Sequence, residues 1–160
     1  MMKIESPVSA YIAFEIEYLD DRDLIEWAVN YLLTSEYSID DIDLIALLSI
    51  NTKDISDVEK AGSYLSSFIS RQWPEFSLKG SKAEGYAKKL FHHRLKQYLA
   101  GKCRPYDVCK MICPIEQLYD FPEWLGNLYN ACDWLEPGTQ PADCRYLEAE
   151  IEQVLKLQPK

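Results

Sequence analysis

Residues 20–33, "DDRDLIEWAVNYLL", decide the fold class. Leu24, Trp27, Ala28, Tyr31 and Leu32 recur at three- and four-residue spacing, the period of an amphipathic helix and not the alternation of a strand. Asp20 or Asp21 can cap the helix, and acids crowd its first turn, where free backbone N–H groups and the helix dipole favour negative charge.

The same punctuation recurs along the chain. Ser6-Pro7 reads as an N-cap followed by proline at the first helical position, although "YIAFEIEYL" (11–19) also fits a short strand. In "SIDDIDLIALLSI" (38–50), Ser38 or Asp40 caps, and Ile42 to Leu48 is apolar enough for a buried helix. "DISDVEKAGSYLSSFISRQW" (54–73) shows a capping box at Ser56 and Glu59 and ends before Pro74. A second capping box, Ser81 and Glu84, opens a helix that runs to about Ala100, with Gly101 as its stop. "RPYDVCKMI" (104–112) is a shorter helix that Pro114 ends or kinks. Pro122 opens a helix through "EWLGNLYNACDWLEP" (123–137), closed by Pro137-Gly138, and Pro141 opens the last one, striped by Leu147, Ile151, Val154 and Leu155. The expectation is an all-α, single-domain bundle of about seven helices with short loops, spanning residues 1–160.

Charge is unevenly spread along the chain, whose net formal charge is −9. Residues 1–60 hold 14 acids and 4 bases, residues 61–110 hold 3 and 10, and residues 111–160 hold 9 and 3. Such asymmetry bears on partners and association rates. Two acidic groups stand out: Asp20, Asp21, Asp23 and Glu26, then Asp40, Asp41 and Asp43. Capping accounts for one or two acids at each place and leaves the others to be answered by something cationic. In the stretch 123–137, Asn127, Asn130 and Asp133 share one arc of a helical wheel with Trp134, where a solvated face would carry Lys and Glu. Asn and Asp are weak helix formers, so the arc reads as a packing network or as a recognition patch of amides with an aromatic anchor.

Other chemistry is thin. In "KAEGYAKKLFHHRLKQYL" (82–99), Lys82, Lys88, Lys89, His92, His93 and Lys96 form a basic arc. It is either a solvated face or an RNA-binding stripe extending through residue 110, and the acidic overall balance argues against nucleic acid. His92 and His93 are the only histidines, and adjacent helical residues diverge by about 100°, so both cannot serve one catalytic centre. Cys103, Cys109 and Cys113 lack the paired spacing of a structural zinc site, and the odd total of five cysteines suggests free thiols. The chain contains no P-loop, dinucleotide-binding fingerprint or nucleophile elbow. The expectation is therefore no catalysis, no metal and no cofactor. No apolar run reaches the roughly 20 residues of a membrane span. The N-terminus "MMKIESPVSAYIAFEIEYLD" lacks the form of a signal peptide, which points to the cytoplasm.

The acidic, helical character of the chain, with "WLGNLYNACDWLEP" (124–137) and "CRYLEAEIEQVL" (144–155), resembles the small all-helical immunity proteins of bacterial toxin systems, including contact-dependent growth inhibition. The resemblance implies a cytoplasmic protein without enzymatic activity, a monomer or weak dimer. It would bind one cognate toxin domain, often a basic nuclease, and block its active site or substrate groove. The partner-binding candidates, chosen by charge and periodicity, are Asp20, Asp21, Asp23, Glu26, Asp40, Asp41, Asp43, Asn127, Asn130, Asp133 and Trp134. The alternatives are a small enzyme using His92 or His93, and an RNA-binding adaptor using residues 82–110.

Overall fold

A computed structural model describes residues 2–34, 41–133, 135–141 and 144–156. Among these residues the regular structure is helical, with no strand. The chain divides into two compact units, Met1–Gly80 and Ser81–Lys160.

In the first unit, α1 (Pro7–Glu15) starts as its sequence predicts: the Ser6 hydroxyl accepts the Ser9 N–H at 3.1 Å and Pro7 takes the first helical position. "YIAFEIEYL" is therefore helix and not strand over its first half. The helix α2 (Asp21–Thr34) is followed by α3 (Ile42–Leu48), a single turn α4 (Ile55–Val58) and α5 (Ala61–Gln72). Packed against α1, α2 and α3, the helix α5 forms the centre of the unit. Its Leu65, Phe68 and Ile69 are buried, and Gly62 lets the Phe14 ring of α1 lie directly on the backbone.

The predicted helix 54–73 is in fact two. Asp54 caps α4 by accepting the Ser56 N–H at 3.0 Å, and it also takes the Ser56 hydroxyl at 2.8 Å. Ser56 is thereby used up as a capping group. The chain turns through Glu59 and Lys60 before α5 begins.

The second unit contains α6 (Ser81–Leu99), α7 (Pro105–Cys109), α8 (Ile112–Tyr119), a 3₁₀ turn (Glu123–Leu125), α9 (Leu128–Cys132) and α10 (Arg145–Lys156). Gly101 ends α6 at φ +68°. Its N–H donates to the Tyr98 carbonyl at 2.9 Å and the Lys102 N–H to the Gln97 carbonyl at 2.9 Å, the paired bonds of a Schellman stop. Pro114 neither ends nor kinks a helix. It occupies the first turn of α8, where its missing N–H has no intrahelical partner to lose.

Two readings of this half need correction. The stretch 123–137 is not one helix. Gly126 breaks it at φ +57°, in close contact with α10: a Cβ there would lie 2.9 Å from Val154 Cγ2. A wheel drawn through residues 123–133 therefore does not apply, although Asn127, Asn130 and Asp133 are all exposed. The cysteines are also not all thiols. Cys109 and Cys132 form a disulfide that ties α7 to α9, with Cα atoms 5.4 Å apart, while Cys103, Cys113 and Cys144 remain thiols. The local sequence around Cys109 points to its neighbours in the chain, and the bond is made to a residue 23 positions away.

Among the described residues, no helix is long and apolar enough to cross a membrane, and no group of three or more His, Cys, Asp or Glu side chains could hold a metal ion.

Candidate functional site

The two acidic groups of the first unit differ in what answers them. Asp41 caps α3, accepting the Asp43 N–H at 2.9 Å and the Leu44 N–H at 3.2 Å. Arg71, in the last turn of α5, donates to both Asp41 carboxylate oxygens at 2.8 and 2.9 Å and also to Asp43. Burial pushes the Asp41 carboxyl up, but the guanidinium and the two amides outweigh it and hold it below the ordinary carboxylate range. The cation these acids require is thus supplied from within the chain. Asp40 lies outside the described residues.

At the start of α2 the outcome is different. The Asp23 N–H donates to Asp20 Oδ1 at 2.8 Å, and the Asp20 N–H lies 3.4 Å from Asp23 Oδ2, so this pair caps the helix. Among the described residues no Lys or Arg forms an ion pair with Asp20, Asp21, Asp23 or Glu26. Burial raises the Asp21 carboxyl, and the negative charges of Asp20 and Glu59 raise it further. Asp21 thus sits beside like charge, with burial the larger cause of its rise.

One face of α2 also lines a cleft of about 680 Å³. Asp23, Glu26, Trp27, Asn30 and Tyr31 lie on one wall, and the extended segment around Ile4 forms the other. The Trp27 and Tyr31 rings stack with centroids 4.9 Å apart at 20°. The indole N–H of Trp27 donates to the Ile4 carbonyl at 2.9 Å, which fixes the ring and satisfies its one polar atom. The helical stripe predicts Trp27 and Tyr31 as core, yet both are only half-buried, while Leu24, Ile25 and Ala28 are buried. The signal was present in the sequence: Asp23, Glu26, Asn30 and Thr34 share that face, and a core-facing stripe would exclude them.

The remaining candidates are dispersed. In the second unit Asn127 and Asn130 border a shallow depression of about 470 Å³ together with Ala131, Tyr146 and Glu150. Tyr146 is 82% exposed, and Asp133 is exposed outside this lining. Trp134 lies outside the described residues.

Of the basic arc on α6, Lys82, Lys89 and Lys96 are exposed, but His92 is not. It is 7% exposed and meets the Trp124 ring edge-on at 6.2 Å. Burial, helped by the charges of Lys88 and Lys96, lowers its pKa to about 4, so it is neutral at pH 7. The same Trp124 ring packs on Phe91 at 6.0 Å and donates its indole N–H to Glu84 at 3.0 Å. Glu84, predicted to close a capping box, is therefore used to hold a tryptophan, and His92 is part of that packing.

The geometry defines an all-helical chain with an acid-rimmed aromatic cleft in its first unit. No protein-family model matches the chain, and neither a curated protein nor a solved structure matches it.

Proposed function

We propose that the protein is a binding protein that neutralises a cognate basic bacterial toxin domain, in the manner of an immunity protein, through the acidic face of α2. One observation carries this reading: Asp20, Asp21, Asp23 and Glu26 have no cationic side chain paired with them among the described residues, whereas Asp41 and Asp43 share Arg71. Acids arranged in this way attract a basic partner over distance and raise its association rate. Occupying a nuclease groove with carboxylates in place of phosphates requires no catalysis and no cofactor. In this reading the protein, a monomer or weak dimer, forms a one-to-one complex with the toxin domain.

The cytoplasm is the compartment proposed with this function, and the Cys109–Cys132 bond is the feature that weighs against it, because disulfides are rare there. The enzyme and RNA readings have less support. His92 is packed and neutral, and the 82–110 segment, with 8 bases against 2 acids, belongs to a unit whose 11 acids offset its 11 bases.

The test is growth rescue. The C-terminal fragment of the protein encoded immediately upstream is induced in cells with and without this chain. Rescue, with a one-to-one complex on a sizing column, is the expected result. A fragment that kills regardless of this chain removes the proposal.

A further inference from the structure

The cleft on α2 shares Asp23 and Glu26 with the acids that begin the helix and adds an aromatic wall to them. Its volume of about 680 Å³ falls within the range of small-ligand sites. Two stacked aromatic rings line it, and the nearer ring system is fixed by a backbone hydrogen bond. Of its charged lining residues among those described, Glu5, Asp23 and Glu26 are acids and Lys3 is the one base, placed 3.6 Å from Glu5. Asp23 lies one turn before Trp27 on the same helical face, and Glu26, next to Trp27 in the chain, lines the same cleft. Aromatic faces next to carboxylates suit a flat, weakly hydrated cation on an apolar stem. The rings contact the plane and the stem, while the carboxylates accept its N–H groups.

We infer that this cleft is a binding site for an alkyl-guanidinium group, seated against Trp27 and Tyr31 with its charge toward Asp23 and Glu26. The group is supplied either by an arginine side chain of a protein partner or by a free small cation. The inference rests on the cleft alone and does not depend on the toxin reading.

The test uses the full chain and two small probes: N-butylguanidine, and N-butylurea, which has the same length and no charge. Binding is read by NMR from the Trp27 indole N–H and the α2 amides. Saturable shifts with the guanidine and none with the urea are expected, weakening as salt is raised. Glu26→Gln reduces affinity about two- to fivefold. Asn30→Lys changes an exposed side chain in the cleft wall, so the fold survives and a competing cation occupies the site. It is expected to reduce affinity at least tenfold, with an unchanged amide spectrum elsewhere. Equal response to guanidine and urea, no saturable shift, or full binding by N30K overturns the inference. A tripeptide Gly-Arg-Gly, blocked at both ends, then separates the sources. Tighter binding than N-butylguanidine assigns the site to a protein side chain, and weaker binding assigns it to a free cation. Neither arm involves the toxin fragment, so a failed rescue and a failed cleft remain distinct results.

Discussion

The two compact units are both built from short helices, but they differ in charge. Residues 1–80 hold 15 acids and 6 bases, and residues 81–160 hold 11 of each, so the first unit carries the whole net charge of −9. The second unit is neutral, cross-linked by Cys109–Cys132 and packed around the group of Phe91, His92 and Trp124. Within the first unit the contrast repeats at smaller scale. Two acidic helix starts read alike in sequence, yet one has its cation at hand in Arg71 and the other has none paired with it among the described residues. Charge density along a sequence thus marks where acids gather. Only the fold distinguishes acids that are paired with a cation of the chain from acids that have none paired with them among the described residues.

The largest expected effect concerns the cross-link. Replacing Cys109 and Cys132 by Ser removes a bond that closes a loop of 23 residues, and it should cost the second unit about 3 kcal/mol on a chain-entropy account. Hydrogen exchange should show α7 and α9 opening while α1 to α5 stay as protected as before. A thiol titration of the denatured, unreduced chain should find three reactive cysteines. Five would mean that the bond is absent and that the contrast between the units rests on charge alone.

The next prediction separates the units by pH. His92 has a folded pKa of about 4, below the ordinary value of about 6.5. Its neutral form is the one the packing favours, so its contribution is complete above about pH 6.5 and is lost as pH falls toward 4. Asp41 is also depressed, so its contribution is present at neutral pH and fades only as pH drops through the carboxylate range, below about 3.9. Residue-resolved NMR during an acid titration should show the second unit loosening first. His92→Gln should remove that early phase, and Arg71→Gln should weaken the first unit at neutral pH and flatten its acid dependence. Simultaneous loosening of both units would contradict the assignment.

The smallest effects are the sharpest for the two acidic groups. Asp41→Asn keeps an N-cap and loses the charge facing Arg71, so it should destabilise by up to about 1 kcal/mol. Asp21 has the opposite sign. Its folded pKa is raised, so the charged form is disfavoured in the fold, and stability rises as pH falls through its titration. Asp21→Asn should therefore stabilise by a few tenths of a kcal/mol at pH 7. Urea midpoints that move in the same direction for both variants would break the distinction.

Much of the fold is legible in the sequence, and the failures share a cause. The caps at Ser6 and Asp20, the stop at Gly101 and the buried stripe of α10 depend on neighbours within a few residues, and periodicity reveals them. The break at Gly126 follows from close contact with Val154, the bond of Cys109 reaches to Cys132, and Glu84 is held by Trp124. None of these partners is near in sequence. The candidate site divides the same way. Its acids were visible as a local run, but the roles of Arg71 and of the Ile4 carbonyl that fixes Trp27 depend on tertiary placement.

The central claim is that the α2 acids face a partner and the α3 acids do not. Its most direct test is the association rate of the toxin fragment with this chain, measured by stopped flow across a range of salt. Asn at Asp20, Asp21 and Asp23 together should slow association and flatten its salt dependence, while Asn at Asp41 and Asp43 should leave both unchanged. If the first set leaves rate and slope intact, or the second set alters them equally, the α2 face is not where the partner docks.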